Sequence, residues 1–157
     1  MRKRFFLLLY DAMKANPNIW CVVGDLGYGG VDKIQKDFPD RFISVGAAEF
    51  SMVGIAAGLA LEGKIPITYT ITPFYYRAFE MIRTYINHEN IPIIMVAAGR
   101  KDDYKEDGIS HTAEDDEIFI HFRNIRCRWP ESKAQMEVIF QEALKSKKPY
   151  YINMTRR

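Results

Sequence analysis

Glu49 is the residue of this sequence whose surroundings point most directly to chemistry. It lies in the run VGAAEFSMVG at residues 45–54, where most of its neighbours are small or apolar. A carboxyl group that is buried among such neighbours, where a strand passes into a helix, can share a proton with a bound molecule. An acid in the first turn of a helix, which the helix dipole favours, explains the same residue equally simply. The residues alone leave both interpretations open.

Three further segments place polar side chains after predicted strands. These segments are residues 24–30, 70–77 and 98–111. The last of them overlaps a charged stretch, residues 99–112, with no helix or strand period. An irregular loop of about 12–15 residues is uncommon in a compact domain and often serves function. Polar residues in such segments are also explained as turn or cap residues, as solvated surface charges and as solvent-exposed histidines.

Several common sites are excluded by spacing. A dinucleotide fingerprint G-x-G-x-x-G that began at Gly27 would need a third glycine at position 32, which is Asp32. Neither a GxxxxGK[ST] phosphate loop nor a G-x-S-x-G nucleophile elbow occurs. Cys21 and Cys127 form no CxxC pair and no metal-binding spacing, so we expect reduced thiols and no metal site in this chain.

The elements that must position these residues alternate between strands and helices. Short apolar runs predict strands at residues 19–23, 42–45, 65–70, 91–98, 125–129 and 150–154. Helical spacing predicts helices at residues 2–15, 31–37, 48–62, 74–87, 114–122 and 132–146. The inner face of helix 74–87 is predicted to consist of Phe79, Ile82, Tyr85 and Ile86. This alternation predicts an α/β fold, doubly wound, with a mostly parallel sheet of about six strands and helices on both faces.

Length, composition and charge narrow the function classes. The 157 residues are 48% hydrophobic, which predicts one folded domain over residues 1–157. The 22 basic and 20 acidic residues give no reason to expect a nucleic-acid partner. The apolar run at residues 5–10 is shorter than a signal peptide requires, and none approaches a membrane span. We therefore expect a soluble, cytoplasmic protein with no membrane partner, whose ligand lies beyond the carboxyl ends of the strands.

Four segments, in order, resemble the pyrimidine-binding domain of the transketolase-like thiamine-diphosphate-dependent enzymes, the group of transketolase and deoxyxylulose phosphate synthase. They are FPDRFISVGAAE at residues 38–49, MVGIAAGLA at 52–60, TPFYYRAF at 72–79 and EDGISH at 106–111. The resemblance covers essentially the whole chain. It implies a transferase that moves a two-carbon ketol or acyl unit from a ketose or 2-oxo acid donor to an aldehyde acceptor.

The resemblance also implies roles for individual residues. Glu49 would be catalytic, because a carboxyl group hydrogen-bonded to ring nitrogen N1′ of thiamine favours the imino tautomer that activates the cofactor. Phe74 would stack on the aminopyrimidine ring, Ile71 takes the place of a second aromatic, and Asp25 would lie near the cofactor. Substrate contacts are implied for Arg77, Arg100, Asp107 and His111, the last of which would also be catalytic.

Four departures from the family pattern qualify these roles. Gly99 stands where transketolases have a donor-binding histidine, and Phe50 replaces a polar residue. The GDG…N segment, through which the family binds diphosphate and Mg²⁺, does not occur, and a third, C-terminal domain would also be absent. We therefore expect a split enzyme that is active only with a partner subunit, which binds the diphosphate and Mg²⁺, and a homodimer contact that completes a heterotetramer. The alternatives are a non-catalytic interaction subunit of the same fold and a nucleotide-binding module.

Overall fold

A parallel sheet forms the centre of the molecule. The computed structural model describes residues 1–26, 28–100, 102–112 and 116–156, without the side chains of residues 116 and 117. Within these ranges the sheet has six strands in the order β2-β1-β3-β4-β6-β5, and each neighbouring pair is parallel. The strands are β1 Ile19–Val23, β2 Phe42–Ser44, β3 Ile65–Ile71, β4 Ile94–Ala98, β5 Arg126–Arg128 and β6 Tyr150–Met154.

Helices cover both faces of this sheet. The α-helices are α1 Arg2–Ala15, α2 Asp32–Asp37, α3 Glu49–Leu61, α4 Thr72–Tyr75, α5 Phe79–Met81 and α6 Lys133–Lys145. One apolar cluster joins α1, α2 and α6 to the sheet, and a second joins α3 and residues 75–86 to it. Alternate residues of β6 divide between the two clusters, with Tyr150 and Ile152 in the first and Tyr151 in the second. Since successive strand residues point to opposite faces, the doubly wound α/β prediction is confirmed.

The predicted helix over residues 74–87 is interrupted in the structure. The 3₁₀ turn Tyr76–Ala78 separates α4 from α5, and a π-helix, Ile82–His88, follows. Tyr85 is 45% exposed, whereas Ile82 and Ile86 are fully buried. The prediction of Tyr85 on the inner face is therefore wrong. A π-helix bonds each residue to the fifth along the chain, so the α-helical spacing of three and four residues no longer identifies the inner face.

A predicted strand starts later in the structure, and another predicted helix is of a different type. β4 begins at Ile94 rather than at residue 91, because Pro92 has no N–H to donate to a neighbouring strand, although Ile91 and Ile93 are buried. The helix predicted over residues 114–122 is a 3₁₀ helix at Asp116–His121, and residues 113–115 lie outside the described residues.

No helix in the described ranges combines the length and the apolar character that crossing a membrane requires.

Candidate active site

The carboxyl ends of β1 to β4 bring the candidate residues to one edge of the sheet. Gly24 follows β1, and Val45 stays beside it because its N–H donates to the carbonyl of Val23 at 3.0 Å. Glu49 is the first residue of α3. Phe74 follows β3 and Gly99 follows β4. The parallel arrangement therefore places residues that are far apart in sequence around one site.

Glu49 is a buried acid at the N-terminus of a helix. The residue is 1% exposed, and the N-cap residue Ala48 has no side chain that could cap α3. The helix dipole favours a negative charge at this position. Arg77 Nη1 donates to Glu49 Oε2 at 2.9 Å. The second carboxyl oxygen, Oε1, is buried and has no hydrogen-bond partner among the described residues.

A second buried oxygen lies close to Glu49 Oε1. The hydroxyl oxygen of Thr70, on β3, is likewise buried and without a hydrogen-bond partner in the described part of the chain. A β-carbon added to Gly24 would lie 3.3 Å from each of the two oxygens, so the absence of a side chain at Gly24 leaves space beside both of them. Buried polar atoms are normally hydrogen-bonded. The two oxygens therefore mark a place where a polar atom of a ligand fits.

Phe74 is the aromatic centre of the site. Its half-buried ring has the guanidinium Cζ of Arg77 above it, 4.2 Å from the ring centroid. The imidazole of His111 approaches the same ring at 5.2 Å and an interplanar angle of 65°. A hydrogen bond of 2.9 Å between Ser110 Oγ and His111 Nδ1 orients the imidazole. Glu49, Phe74, Arg77 and His111, which the sequence singled out separately, thus form one contiguous cluster.

Tyr104 is a site residue that sequence reasoning missed. Gly99 has φ +95°, and a β-carbon there would lie 2.5 Å from the Tyr104 ring. The Tyr104 ring therefore fills the space above Gly99, where any larger residue would overlap it. Burial raises the pKa of the Tyr104 phenol. Ile71, fully buried at the end of β3, belongs to the same apolar cluster. The sequence contained one indication of this position, since Tyr104 is the single aromatic residue among the charged residues 100–107.

Asp25 and Arg100 each contact a residue outside the Glu49 cluster, and Asp107 is exposed to solvent. Asp25 is exposed and its carboxylate accepts a hydrogen bond of 3.0 Å from the Tyr28 hydroxyl, which raises the pKa of that phenol. Arg100 forms an ion pair with Glu131, just before α6. Asp107 is exposed in the 3₁₀ turn Lys105–Asp107. Tyr28 and Glu131, the partners of the first two, lie outside the Glu49 cluster.

The described ranges contain no group of three His, Cys, Asp or Glu side chains that could hold a metal ion. Phe50, the apolar departure beside Glu49, is 50% exposed.

Comparison with known families decides the identity of the fold. The family model of the transketolase pyrimidine-binding domain matches residues 1–157. The chain belongs to this family. Transketolase-like members of the family use thiamine diphosphate.

Curated relatives of this pyrimidine-binding domain include parts of transketolases. It is 32% identical, over its whole length, to a protein of Methanocaldococcus jannaschii described as a transketolase C-terminal section, of which it covers 51%. It is 29% identical to a 6-deoxy-6-sulfo-D-fructose transketolase subunit of Clostridium sp. (strain MSTE9), with all of this chain and 50% of the relative covered. One of the subunits of an apulose-4-phosphate transketolase of Actinobacillus succinogenes is 34% identical over 76% of this chain and 39% of its own length. The chain thus spans about half the length, or less, of these relatives.

Solved structures give the same assignment. A split-gene transketolase, described as an inactive beta4 tetramer, superposes with a TM-score of 0.86 at 30% identity over 99% of this chain and 51% of its own. Transketolase from Leishmania mexicana superposes with a TM-score of 0.89 at 23% identity, over 99% of this chain and 25% of its own, and supports the fold.

Proposed function

We propose that this chain is the pyrimidine-binding subunit of a split, thiamine-diphosphate-dependent transketolase-like enzyme that works in the cytoplasm. A partner subunit supplies the binding site for diphosphate and Mg²⁺, and the two kinds of subunit assemble as a heterotetramer. The enzyme transfers a two-carbon ketol or acyl unit from a ketose or 2-oxo acid donor to an aldehyde acceptor. Support comes from relatives that are themselves described as transketolase subunits or sections.

The buried carboxyl of Glu49 is the observation that carries this proposal. An aminopyrimidine ring presents in-plane nitrogen atoms and a flat face. Glu49 Oε1, buried and without a partner among the described residues, suits a ring nitrogen, and the neighbouring Phe74 ring suits the flat face. The residues present therefore fit the pyrimidine half of the cofactor. When bound, thiamine diphosphate supplies the acidic carbon atom through which the two-carbon unit is transferred.

Each residue of the chain then has a defined task. Glu49 holds a proton in common with the pyrimidine ring nitrogen, and the helix N-terminus and burial fix the position of its carboxyl group. Phe74 orients the ring, while Ile71 and Tyr104 form an apolar wall that excludes water. On the substrate side, His111 presents an imidazole that is oriented by Ser110.

The remaining substrate contacts follow from charge. Arg77 and Arg100 provide guanidinium groups, which suit a phosphate or carboxylate on the substrate. Asp107 provides an exposed acceptor for substrate hydroxyl groups, and Asp25 lies after β1, at the cofactor edge of the sheet. These assignments make the charged loop over residues 99–112 the region that selects the substrate.

Turnover by the assembled enzyme tests the central assignment. The chain is co-expressed with a diphosphate-binding partner, and transfer from a ketose donor to an aldehyde acceptor is measured for wild type and Glu49→Gln. We expect the amide to lower turnover about 10²-fold or more, the range typical of lost proton transfer. Glu62→Gln, at the exposed end of α3, is the matched control and leaves turnover unchanged. Equal turnover of Glu49→Gln and wild type would defeat the assignment, and an assembly without turnover would favour a non-catalytic interaction subunit.

A further inference from the structure

The Arg77 guanidinium makes two contacts with the residues that the proposed function assigns to the pyrimidine ring. Its Nη1 donates to Glu49 Oε2 at 2.9 Å, and its Cζ lies 4.2 Å from the centroid of the Phe74 ring. A guanidinium is planar and carries its N–H donors in the plane, so one group can stack on an aromatic face and bond a carboxylate at its edge. Arg77 uses both properties at once.

An aminopyrimidine ring has the same two properties. It is flat, and its polar atoms lie in the ring plane. Two flat groups cannot occupy the same face of Phe74 while each reaches the carboxyl of Glu49. We propose that the pyrimidine ring uses the face of Phe74 that the Arg77 guanidinium covers. Arg77, which bonds Oε2 and leaves Oε1 open, then occupies the stacking position in the cofactor-free chain and must leave it before the cofactor can enter. This inference rests on the proposed function, since it takes the pyrimidine ring to be the ligand of Glu49 and Phe74.

Burial shows why such an occupant is needed and why it can leave. The side chain of Glu49 has no exposed surface, and a buried carboxylate without a cation is strongly disfavoured. The side chain of Arg77 is 51% exposed, so its guanidinium can rotate into solvent without rearrangement of the core. Its backbone lies in the 3₁₀ turn Tyr76–Ala78. After release, the same guanidinium is free to face the substrate, so Arg77 has one role in each state.

Binding of the isolated pyrimidine tests the proposal on the full chain. The probe is 4-amino-5-hydroxymethyl-2-methylpyrimidine, titrated calorimetrically into wild type, Arg77→Gln and Glu49→Gln. Molecules in which Arg77 occupies the site cannot bind the probe, so the apparent affinity of the wild-type chain is reduced to the share of molecules whose site is open. We therefore expect Arg77→Gln to bind the probe at least about fivefold more tightly than wild type does. Arg83→Gln, an exposed arginine in the following π-helix, is the matched control and binds as wild type does. Glu49→Gln loses binding.

A measurement on the wild-type chain makes the test independent of how the variants fold. The side-chain Nε–H signal of Arg77 is assigned from its disappearance in Arg77→Lys. Saturation with the probe is expected to shift this signal and to accelerate its exchange with water. If Arg77→Gln binds the probe more weakly than wild type does, or if the Arg77 signal does not move at saturation, the proposed displacement of Arg77 is overturned. The proposed function stands in that case, as long as Glu49→Gln has lost binding of the probe. Absence of probe binding to wild type and to Arg77→Gln overturns both this inference and the proposed function.

Discussion

Nη1 of Arg77 lies 2.9 Å from Oε2 of Glu49, although the Glu49 side chain is fully buried and half of the Arg77 side chain is exposed. The buried Glu49 carboxylate depends on Arg77 for its stabilisation, whereas water can also stabilise the Arg77 guanidinium. Removal of Arg77 should therefore lower the free energy of unfolding by a different amount from removal of Glu49. The asymmetry makes the pair accessible to measurements of stability as well as of binding.

Removal of the cation alone should destabilise the chain. In Arg77→Ala the buried carboxylate is left without its ion pair, and we expect the free energy of unfolding to fall by about 2 kcal/mol, less than for a fully buried pair because Arg77 is half exposed. Urea unfolding at neutral pH measures the change. The double variant Glu49→Gln/Arg77→Ala should be more stable than Arg77→Ala, because it carries no unpaired charge. Equal stability of Arg77→Ala and wild type would show that the pair contributes nothing.

Part of the site cluster follows from features that are visible in the sequence. Glu49 stands out because its neighbours are small and apolar. Phe74 and His111 lie in segments that follow strands, but their roles came from the family resemblance. The carboxyl ends of parallel strands meet at one edge, so these residues had to lie near one another once the sheet was predicted. β1 and β4 are continuous apolar runs, as expected for strands of a parallel sheet covered on both faces, and this pattern supported that step.

Other contacts depend on geometry that no residue pattern records. The Tyr104 ring lies over Gly99 at the end of β4, and a contact between two loop residues is not encoded in periodicity. Tyr85 turns outward because the hydrogen-bond register changes to a π-helix. Arg100 reaches Glu131, which is 31 positions away, through a side-chain contact that only the folded sheet creates.

Gly99 offers a test of the loop contact. Alanine at this position must adopt φ +95° and would place its β-carbon 2.5 Å from the Tyr104 ring. Backbone strain and overlap together should lower the free energy of unfolding by about 2–4 kcal/mol. Gly63→Ala is the matched control, since Gly63 has φ +75° with nothing within 4 Å of an added β-carbon. Backbone strain alone should lower the free energy of unfolding of Gly63→Ala by about 1–2 kcal/mol. An equal loss of stability in Gly99→Ala and Gly63→Ala would argue against the Tyr104 contact.

Cys21 predicts a dependence of stability on alkaline pH. Burial raises the pKa of the Cys21 thiol from 9.0 to about 12. The native state therefore keeps the proton above pH 9 while the unfolded chain loses it, so the stability present below pH 9 declines as the pH rises. Between pH 9 and 10 one such thiol contributes a slope of up to about 1.4 kcal/mol per pH unit. Cys21→Ala should show a smaller slope in denaturant unfolding, and an unchanged slope would mean that Cys21 does not titrate differently in the two states.

Two threonines on one strand should respond in opposite directions to the same substitution. Thr68 and Thr70 are both fully buried on β3, two residues apart and so on the same face. The hydroxyl of Thr68 shares a hydrogen bond of 2.8 Å with the Tyr75 hydroxyl, whereas that of Thr70 has no partner among the described residues. Loss of a satisfied bond is costly, and removal of an unsatisfied buried hydroxyl relieves a desolvation penalty.

Valine retains the shape of threonine and removes only the hydroxyl group. We therefore expect Thr68→Val to lower the free energy of unfolding by about 1 kcal/mol and Thr70→Val to raise it by a similar amount. Urea unfolding of both variants without ligand measures the difference, and each variant serves as the control for the other. A loss of stability in Thr70→Val as large as that in Thr68→Val would show that the Thr70 hydroxyl is hydrogen-bonded in the folded chain. The space beside Glu49 Oε1 would then no longer be a binding position for a polar atom of a ligand.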